Sequence, residues 1–168
     1  GDDRGLSGFR ARARVGTRAE VREPREKIRR RVPDRRRDRD SKDRGHVRVC
    51  VRQWRYLFNE RVLEFPAGSM AKGETPLIAA QRELAEETGY TATHWQEVAW
   101  FAPCNGLSDE RCHVFLARGL TAAPAQLEAS EDITVELHTA VAIEEMIKQH
   151  IITDGMTLAA WQLVKSAL

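Results

Sequence analysis

The sequence contains little cysteine and no long apolar run, and both features restrict the kind of protein it can be. Its three cysteines, Cys50, Cys104 and Cys112, are an odd number and form no CxxC pair. This argues against a disulfide framework and against a thiolate zinc site, so we expect buried, reduced thiols. No stretch approaches the ~20 consecutive apolar residues of a membrane span, and the opening residues lack the apolar core of a signal peptide. The expected compartment is therefore the cytoplasm.

A chain of 168 residues suits one domain with a short extension. The net charge of +2 conceals an asymmetry between its two parts. Residues 1–48 contain 18 Lys and Arg against 9 Asp and Glu, which leaves 9 against 16 for the remainder. We therefore divide the chain into an Arg-rich extension, residues 1–45, and a folded domain, residues 46–168.

The extension supports two interpretations. Large apolar residues are scarce in residues 22–46, so this segment cannot by itself bury enough surface to offset its ordering entropy. It is either a solvated appendage or a basic arm that binds nucleic acid or another polyanion. Earlier in the chain, the alternation of Phe9, Ala11, Ala13 and Val15 favours an edge strand.

From His46 onward the pattern is that of an α+β domain. Strands are predicted at 46–51, 62–65, 95–101, 111–120 and 133–139, and helices at 76–88, 141–150 and 156–167. The helix at 76–88 is the best defined of these elements. Thr75 suits its N-cap, Pro76 its first turn and Gly89 a left-handed C-terminal cap.

This helix has two different faces. Leu77, Ile78, Leu84 and Ala85 are predicted to pack, while Glu83, Glu86 and Glu87 lie within about 100° of one another on the other side. Three carboxylates at this spacing repel one another, and a cation should neutralise them. Arg82 can pair with Glu86, but one guanidinium does not neutralise a cluster that also includes Glu74. A hard divalent ion with oxygen ligands fits the cluster, and a solvated acidic helix face is the alternative.

The spacing around these carboxylates resembles the Nudix box, GX5EX7REUXEEXGU, in which U is a bulky residue. The segment GSMAKGETPLIAAQRELAEETGY begins at Gly68 and matches every fixed position. Tyr90 is the only soft match. The chain is thus identified as a member of the Nudix hydrolase family over about residues 46–168. The resemblance implies an α/β/α sandwich with a mixed β-sheet, and hydrolysis of a nucleoside diphosphate linked to another moiety with Mg²⁺ or Mn²⁺.

The same resemblance implies residue roles. The expected metal ligands are Glu83, Glu87, Glu86 (directly or through water) and the main-chain carbonyl of Ala67. Arg82 and Glu74 match positions that orient the carboxylates in this family. Metal ions would shield the charge of the diphosphate and lower the pKa of the attacking water.

The flanking segments resemble the ADP-ribose pyrophosphatases of the family. The run QWRYLFNERVLEFPAG (53–68) implies that Arg55 contacts a substrate phosphate and Glu64 a metal ion or the terminal ribose. Loop residues with an implied substrate-binding role are Ser108, Asp109 and Glu110. In the C-terminal region, Glu131 is the candidate catalytic base and Glu128 the reserve.

The resemblance therefore implies Mg²⁺-dependent hydrolysis of ADP-ribose to AMP and ribose 5-phosphate. One alternative is a Nudix pyrophosphatase for a nucleoside triphosphate, a dinucleotide or NADH. Another is a nucleic-acid-binding protein that uses the basic arm. In ADP-ribose pyrophosphatases, strands precede the segment that corresponds to residues 53–55. The Arg-rich stretch does not resemble such strands, so homodimerisation and adenine recognition stay open. No membrane partner is expected.

Overall fold

The computed structural model describes residues 11–18, 47–123 and 132–167, and for 11–18 the backbone alone. Its strands are β1 (Ala11–Arg18), β2 (Arg48–Arg55), β3 (Glu60–Glu64), β4 (Ala67–Ser69), β5 (Tyr90–Phe101), β6 (Arg111–Ala122) and β7 (Ile133–His138). Its helices are α1 (Pro76–Thr88), α2 (Ala140–Lys148) and α3 (Gly155–Val164), the last followed by a 3₁₀ turn, Lys165–Ala167. The strands and helices predicted from residue 46 onward are present, and β4 is an additional strand that was not predicted.

The described strands form two sheets. The larger has the order β4-β1-β6-β5, with β1 parallel to β6 and antiparallel to β4. The smaller has the order β3-β2-β7 and is antiparallel throughout. A mixed sheet is present as expected, although the strands are divided between two sheets rather than joined in one.

β1 lies inside the larger sheet. Ala13 is opposite Gly68 of β4 on one side and His113 of β6 on the other. The predicted strand is confirmed, but its predicted edge position is wrong, because residue alternation reports which face is buried and not how many neighbours a strand has. β1 comes from the range assigned to the extension. The division of the chain at residue 45 stays a prediction, since residues 1–10 and 19–46 lie outside the described residues.

Neighbouring residues of β6 pack into two different cores. Val114 belongs to a cluster with Ile143 of α2 and Trp161 of α3, whereas Phe115 belongs to a cluster with Leu84 of α1. Consecutive strand residues point to opposite faces of a sheet. α1 and the α2–α3 pair therefore cover opposite faces, which is the expected α/β/α layering.

α1 begins and ends where its capping residues predict. Thr75 Oγ1 accepts a hydrogen bond from the N–H of Ile78 at 3.3 Å, and Gly89 takes the left-handed conformation with φ of 67°. The Gly89 N–H donates to the carbonyl of Ala85 at 2.9 Å. These caps fix the helix that carries the acidic cluster.

The predicted packing face of α1 is partly wrong. Leu77 is 38% exposed and Ile78 51% exposed. The buried residues of the helix are Ala79, Ala80, Leu84, Glu87 and Thr88. The first turn therefore lies at the surface, and the two small alanines let the helix approach the sheet closely.

The cysteine prediction holds for two of the three residues. Cys50 and Cys112 are buried in strands, whereas Cys104 is exposed in the loop between β5 and β6, so its predicted burial is wrong. Burial raises the pKa of the Cys50 thiol to about 12. No helix in the described part of the chain is long and apolar enough to cross a membrane.

Candidate active site

Arg82 lies at the centre of the acidic cluster on α1. Its Nε and Nη2 donate to Glu74 Oε1 and Oε2 at 2.9 and 3.0 Å. Its Nη1 donates to both Glu83 Oε1 and Glu86 Oε2, each at 2.8 Å, and Nη2 also reaches the carbonyl of Ser69 at 2.9 Å. The predicted Arg82–Glu86 pair is confirmed. A single guanidinium thus connects three carboxylates to the backbone at the end of β4.

These contacts hold Arg82 and Glu74 in their charged forms. Hydrogen bonds from Arg82 and from the N–H of Ala71, the latter at 2.6 Å, lower the pKa of Glu74 to about 2. Hydrogen bonding to Glu74, followed by Glu86 and Glu83, raises the pKa of Arg82. The pair is therefore a permanent ionic link between the loop before α1 and the helix itself.

Two of the box carboxylates, those of Glu83 and Glu87, lie against the backbone of β4. Glu87 is only 5% exposed, and its Oε2 accepts a hydrogen bond from the N–H of Ala67 at 2.8 Å. The Glu83 carboxylate lies over Gly68, where a Cβ would come within 1.9 Å of Oε1. Glycine at this position therefore leaves the space that the Glu83 carboxylate occupies.

These groups suit a hard divalent ion by their chemistry, because carboxylate and carbonyl oxygens are the ligands that such ions prefer. Among the described residues, no three His, Cys, Asp or Glu side chains are gathered into a ready-made metal cage. Instead, Glu83 and Glu86 converge on Nη1 of Arg82. A metal ion bound here would share these carboxylates with the guanidinium.

Arg55 and Glu64, predicted to bind substrate, form a bidentate ion pair. Nε and Nη2 of Arg55 donate to Glu64 Oε1 and Oε2 at 2.7 and 2.8 Å. The Glu64 side chain is 4% exposed and that of Arg55 38%. The bond to Glu64 raises the pKa of Arg55, with smaller contributions from the negative charges of Asp154 and Glu87. The pair therefore lies close enough to α1 for the charge of Glu87 to affect the pKa of Arg55.

The loop at 102–110 leads into β6, which is separated from β4 by the single strand β1. Ser108 and Asp109 are exposed and Glu110 is half-buried. Arg12 of β1 is opposite Ser69 on one side and Cys112 on the other, so β6 begins about 10 Å from the end of β4, two strand spacings away. These three residues thus lie at the same end of the sheet as the start of the box.

Both candidates for the catalytic base, Glu128 and Glu131, lie outside the described residues. The next residue, Asp132, forms an ion pair with Arg61 of β3. Arg61 is opposite Trp54 in the smaller sheet. The chain therefore enters β7 beside the hairpin that carries Arg55.

Sequence reasoning missed two residues near this site. Asp154 Oδ2 accepts hydrogen bonds from both the N–H and the hydroxyl of Thr157, each at 2.7 Å. The N–H of Phe65, next to Glu64, donates to Thr157 Oγ1 at 3.3 Å. An Asp-x-x-Thr pattern could have indicated the helix cap, but nothing local indicates a contact with Phe65, 92 residues away.

Comparisons with known proteins agree with this arrangement. The chain is 40% identical over 106 residues to an ADP-ribose pyrophosphatase of Bacillus subtilis (strain 168), a match covering 63% of this chain and 56% of the relative. It is 35% identical over 119 residues to a methanol dehydrogenase activator of Bacillus methanolicus, covering 70% and 64%. The chain thus spans less than two thirds of the length of either relative.

A solved structure titled "Crystal structure of ADP compounds hydrolase" has a similar fold, with a TM-score of 0.70 and 16% identity over 94% of this chain and 72% of that one. Residues 36–157 match the family described as "NUDIX domain". This match includes the whole acidic cluster of α1 and the Arg55–Glu64 pair. The chain therefore belongs to the Nudix family, and its α+β fold is the Nudix fold.

Proposed function

We propose that this protein hydrolyses the diphosphate linkage of ADP-ribose to give AMP and ribose 5-phosphate, with Mg²⁺ as its cofactor or Mn²⁺ in its place. The observation that carries the proposal is the placement of the Glu83 and Glu87 carboxylates against the Ala67–Gly68 backbone. Nudix hydrolases generally use divalent metal ions. The choice of substrate is supported by the Bacillus subtilis relative and by the Arg55–Glu64 pair.

The proposed metal ligands are Glu83, Glu86, Glu87 and the carbonyl oxygen of Ala67. When bound, the metal shields the phosphate charge and lowers the pKa of water. Arg82 holds Glu83 and Glu86 through one nitrogen, and Glu74 fixes Arg82 through two hydrogen bonds. Arg82 and Glu74 therefore orient the ligands without touching the substrate.

Arg55 is proposed to bind a substrate phosphate. Glu64 holds two of its guanidinium nitrogens, so the side chain is fixed in place while remaining 38% exposed. A fixed guanidinium is well suited to phosphate, which it can bind through parallel hydrogen bonds. Glu64 is proposed to contact a metal ion or the terminal ribose, and Ser108, Asp109 and Glu110 to contact the substrate from the loop.

Glu131 is proposed as the general base, with Glu128 as the reserve. The carboxylate takes a proton from water as the water oxygen bonds to one phosphorus atom. The bond between that phosphorus and the bridging oxygen then breaks, and the bridging oxygen stays with the other phosphate. The diphosphate thus becomes two monophosphates, AMP and ribose 5-phosphate, with no other reactant.

A substrate panel tests this proposal. ADP-ribose, NADH, a dinucleoside polyphosphate and a nucleoside triphosphate are each incubated with the full chain and Mg²⁺, and the products are separated by chromatography. We expect the highest kcat/KM for ADP-ribose. A higher value for one of the other compounds would assign the enzyme a different substrate.

Two further predictions concern partners. Light scattering on the full chain tests the homodimer. A salt-dependent shift of labelled RNA or DNA tests the basic arm. Its loss when the arginines at 29–31 and 35–37 are replaced by glutamine, which leaves β1 in place, would favour the nucleic-acid-binding alternative.

A further inference from the structure

Residues 64–67 carry the Glu64 carboxylate and the Ala67 carbonyl, and three different elements hold this segment. Arg55 of β2 holds the side chain of Glu64. Glu87 of α1 accepts the hydrogen bond of the Ala67 N–H. Between these two points, the N–H of Phe65 donates to Thr157 of α3. The position of the segment therefore depends on β2, α1 and α3 together.

The contact from α3 depends on a correctly oriented hydroxyl. Thr157 is 1% exposed, and its Oγ1 donates to Asp154 Oδ2 at 2.7 Å while accepting from Phe65. Asp154 fixes the direction of the hydroxyl proton and so leaves the oxygen lone pairs to face the Phe65 N–H. A methyl group at the hydroxyl position would leave that buried N–H unpaired.

We propose that Thr157, oriented by Asp154, is a positioning residue for the metal site. Through the Phe65 N–H it fixes residues 64–67, and with them the positions of the Ala67 carbonyl and the Glu64 carboxylate. Thr157 itself touches neither metal nor substrate. The inference rests on the proposed function, because it assumes that Ala67 and the box glutamates hold the metal.

Electrostatics support this placement. The charge of Asp154 contributes to the raised pKa of Arg55, as does that of Glu87. The cap of α3 and the buried box carboxylate Glu87 therefore each lie near the Arg55–Glu64 pair. A change at Thr157 is transmitted over one hydrogen bond and two residues to the Ala67 carbonyl.

The test compares Thr157→Val with Thr157→Ser in the full chain. Valine keeps the shape of threonine without the hydroxyl, whereas serine keeps the hydroxyl. Mn²⁺ alone is titrated against each variant and followed by electron paramagnetic resonance, with no substrate present. Steady-state kinetics with ADP-ribose then separate kcat from KM.

We expect Thr157→Val to weaken Mn²⁺ binding about 10-fold, the low end of what indirect partners of metal ligands contribute. It should lower kcat more than it raises KM, while Thr157→Ser stays near the unsubstituted protein in both. Thr139→Val is the matched control. Thr139 caps α2 through the same kind of hydrogen bond, to the N–H of Ala142 at 3.2 Å, but is exposed, so its loss should leave Mn²⁺ binding unchanged.

Several outcomes would overturn the inference: unchanged Mn²⁺ binding in folded Thr157→Val, failure of Thr157→Ser to preserve binding, or an equal loss in Thr139→Val. If Thr157→Val does not fold, Asp154→Asn is titrated with Mn²⁺ in the same way. We expect a smaller loss of Mn²⁺ affinity in this variant, and an unchanged affinity would overturn the inference. The proposed function fails separately, when the unsubstituted chain binds Mn²⁺ but does not cleave ADP-ribose.

Discussion

Glu74 and Arg82 form a bidentate ion pair, with Nε to Oε1 at 2.9 Å and Nη2 to Oε2 at 3.0 Å. The pair connects the loop before α1 to the face of the helix that carries the box glutamates. It also lowers the pKa of Glu74 from 4.5 to about 2. The pair therefore predicts a specific dependence of stability on pH.

Glu74→Gln should unfold at a lower urea concentration than the unsubstituted protein at pH 7. The folded-state pKa lies below the ordinary value, so the ionised carboxylate stabilises the fold above about pH 4.5 and this contribution is lost as the pH falls toward 2. The difference between the two proteins should therefore shrink between pH 5 and pH 3, as urea unfolding followed by circular dichroism would show. A pH-independent difference would contradict the assigned role of the pair.

Gly68→Ala should fold normally and lose metal affinity. The new Cβ would lie 1.9 Å from Glu83 Oε1, and the end of a flexible side chain can move aside at little cost to the fold. The moved carboxylate is then out of position as a ligand. Calorimetric titration with Mn²⁺ measures the effect, and thermal unfolding confirms the fold.

Gly106→Ala is the matched control for that substitution, because a Cβ at Gly106 meets nothing within 4 Å. Its Mn²⁺ affinity should equal that of the unsubstituted protein. Equal affinities for all three proteins would remove Glu83 from the proposed ligand set.

Glu131→Gln should lower kcat and leave Mn²⁺ affinity nearly unchanged, because a general base acts on the attacking water and does not hold the ion. Glu128→Gln serves as the comparison under the same conditions. If Glu128 is the sensitive residue, the base lies three residues earlier in the same segment. Full activity in both variants would exclude this segment as the source of the base.

Cys104 should be the only cysteine that reacts with iodoacetamide in the native protein at pH 8. It is exposed, whereas Cys50 and Cys112 are buried. Burial and the charge of Glu136 raise the pKa of Cys50 to about 12, so its reactive thiolate is scarce. Mass spectrometry of tryptic peptides measures the modified sites. Rapid labelling of Cys50 would contradict its place in the core.

Features that depend on residues close in the chain were predictable. The bounds of α1 follow from Thr75, Pro76 and Gly89 because capping involves only the first and last turns. The contact between Arg82 and Glu86 follows from their i, i+4 spacing. The acidic cluster can therefore be located from the sequence alone.

Features that depend on distant residues were not predictable. The position of β1 between β4 and β6 depends on pairing with strands that begin more than 50 residues later. The contact of Phe65 with Thr157 spans 92 residues, and the exposure of Leu77 and Ile78 depends on where α1 meets the sheet. Periodicity shows that a segment has an apolar face but not which partner covers it.

The central claim is that the box carboxylates serve the hydrolysis of ADP-ribose, and one assay tests it most directly. The unsubstituted chain, Glu83→Gln and Glu87→Gln are incubated with ADP-ribose at saturating Mg²⁺, and the products are quantified by chromatography after circular dichroism has confirmed the fold. We predict equal amounts of AMP and ribose 5-phosphate from the unsubstituted chain, and a kcat reduced by at least ~10²–10³-fold in each variant. An absence of AMP with the folded unsubstituted chain, or near-normal turnover in either variant, would contradict the account.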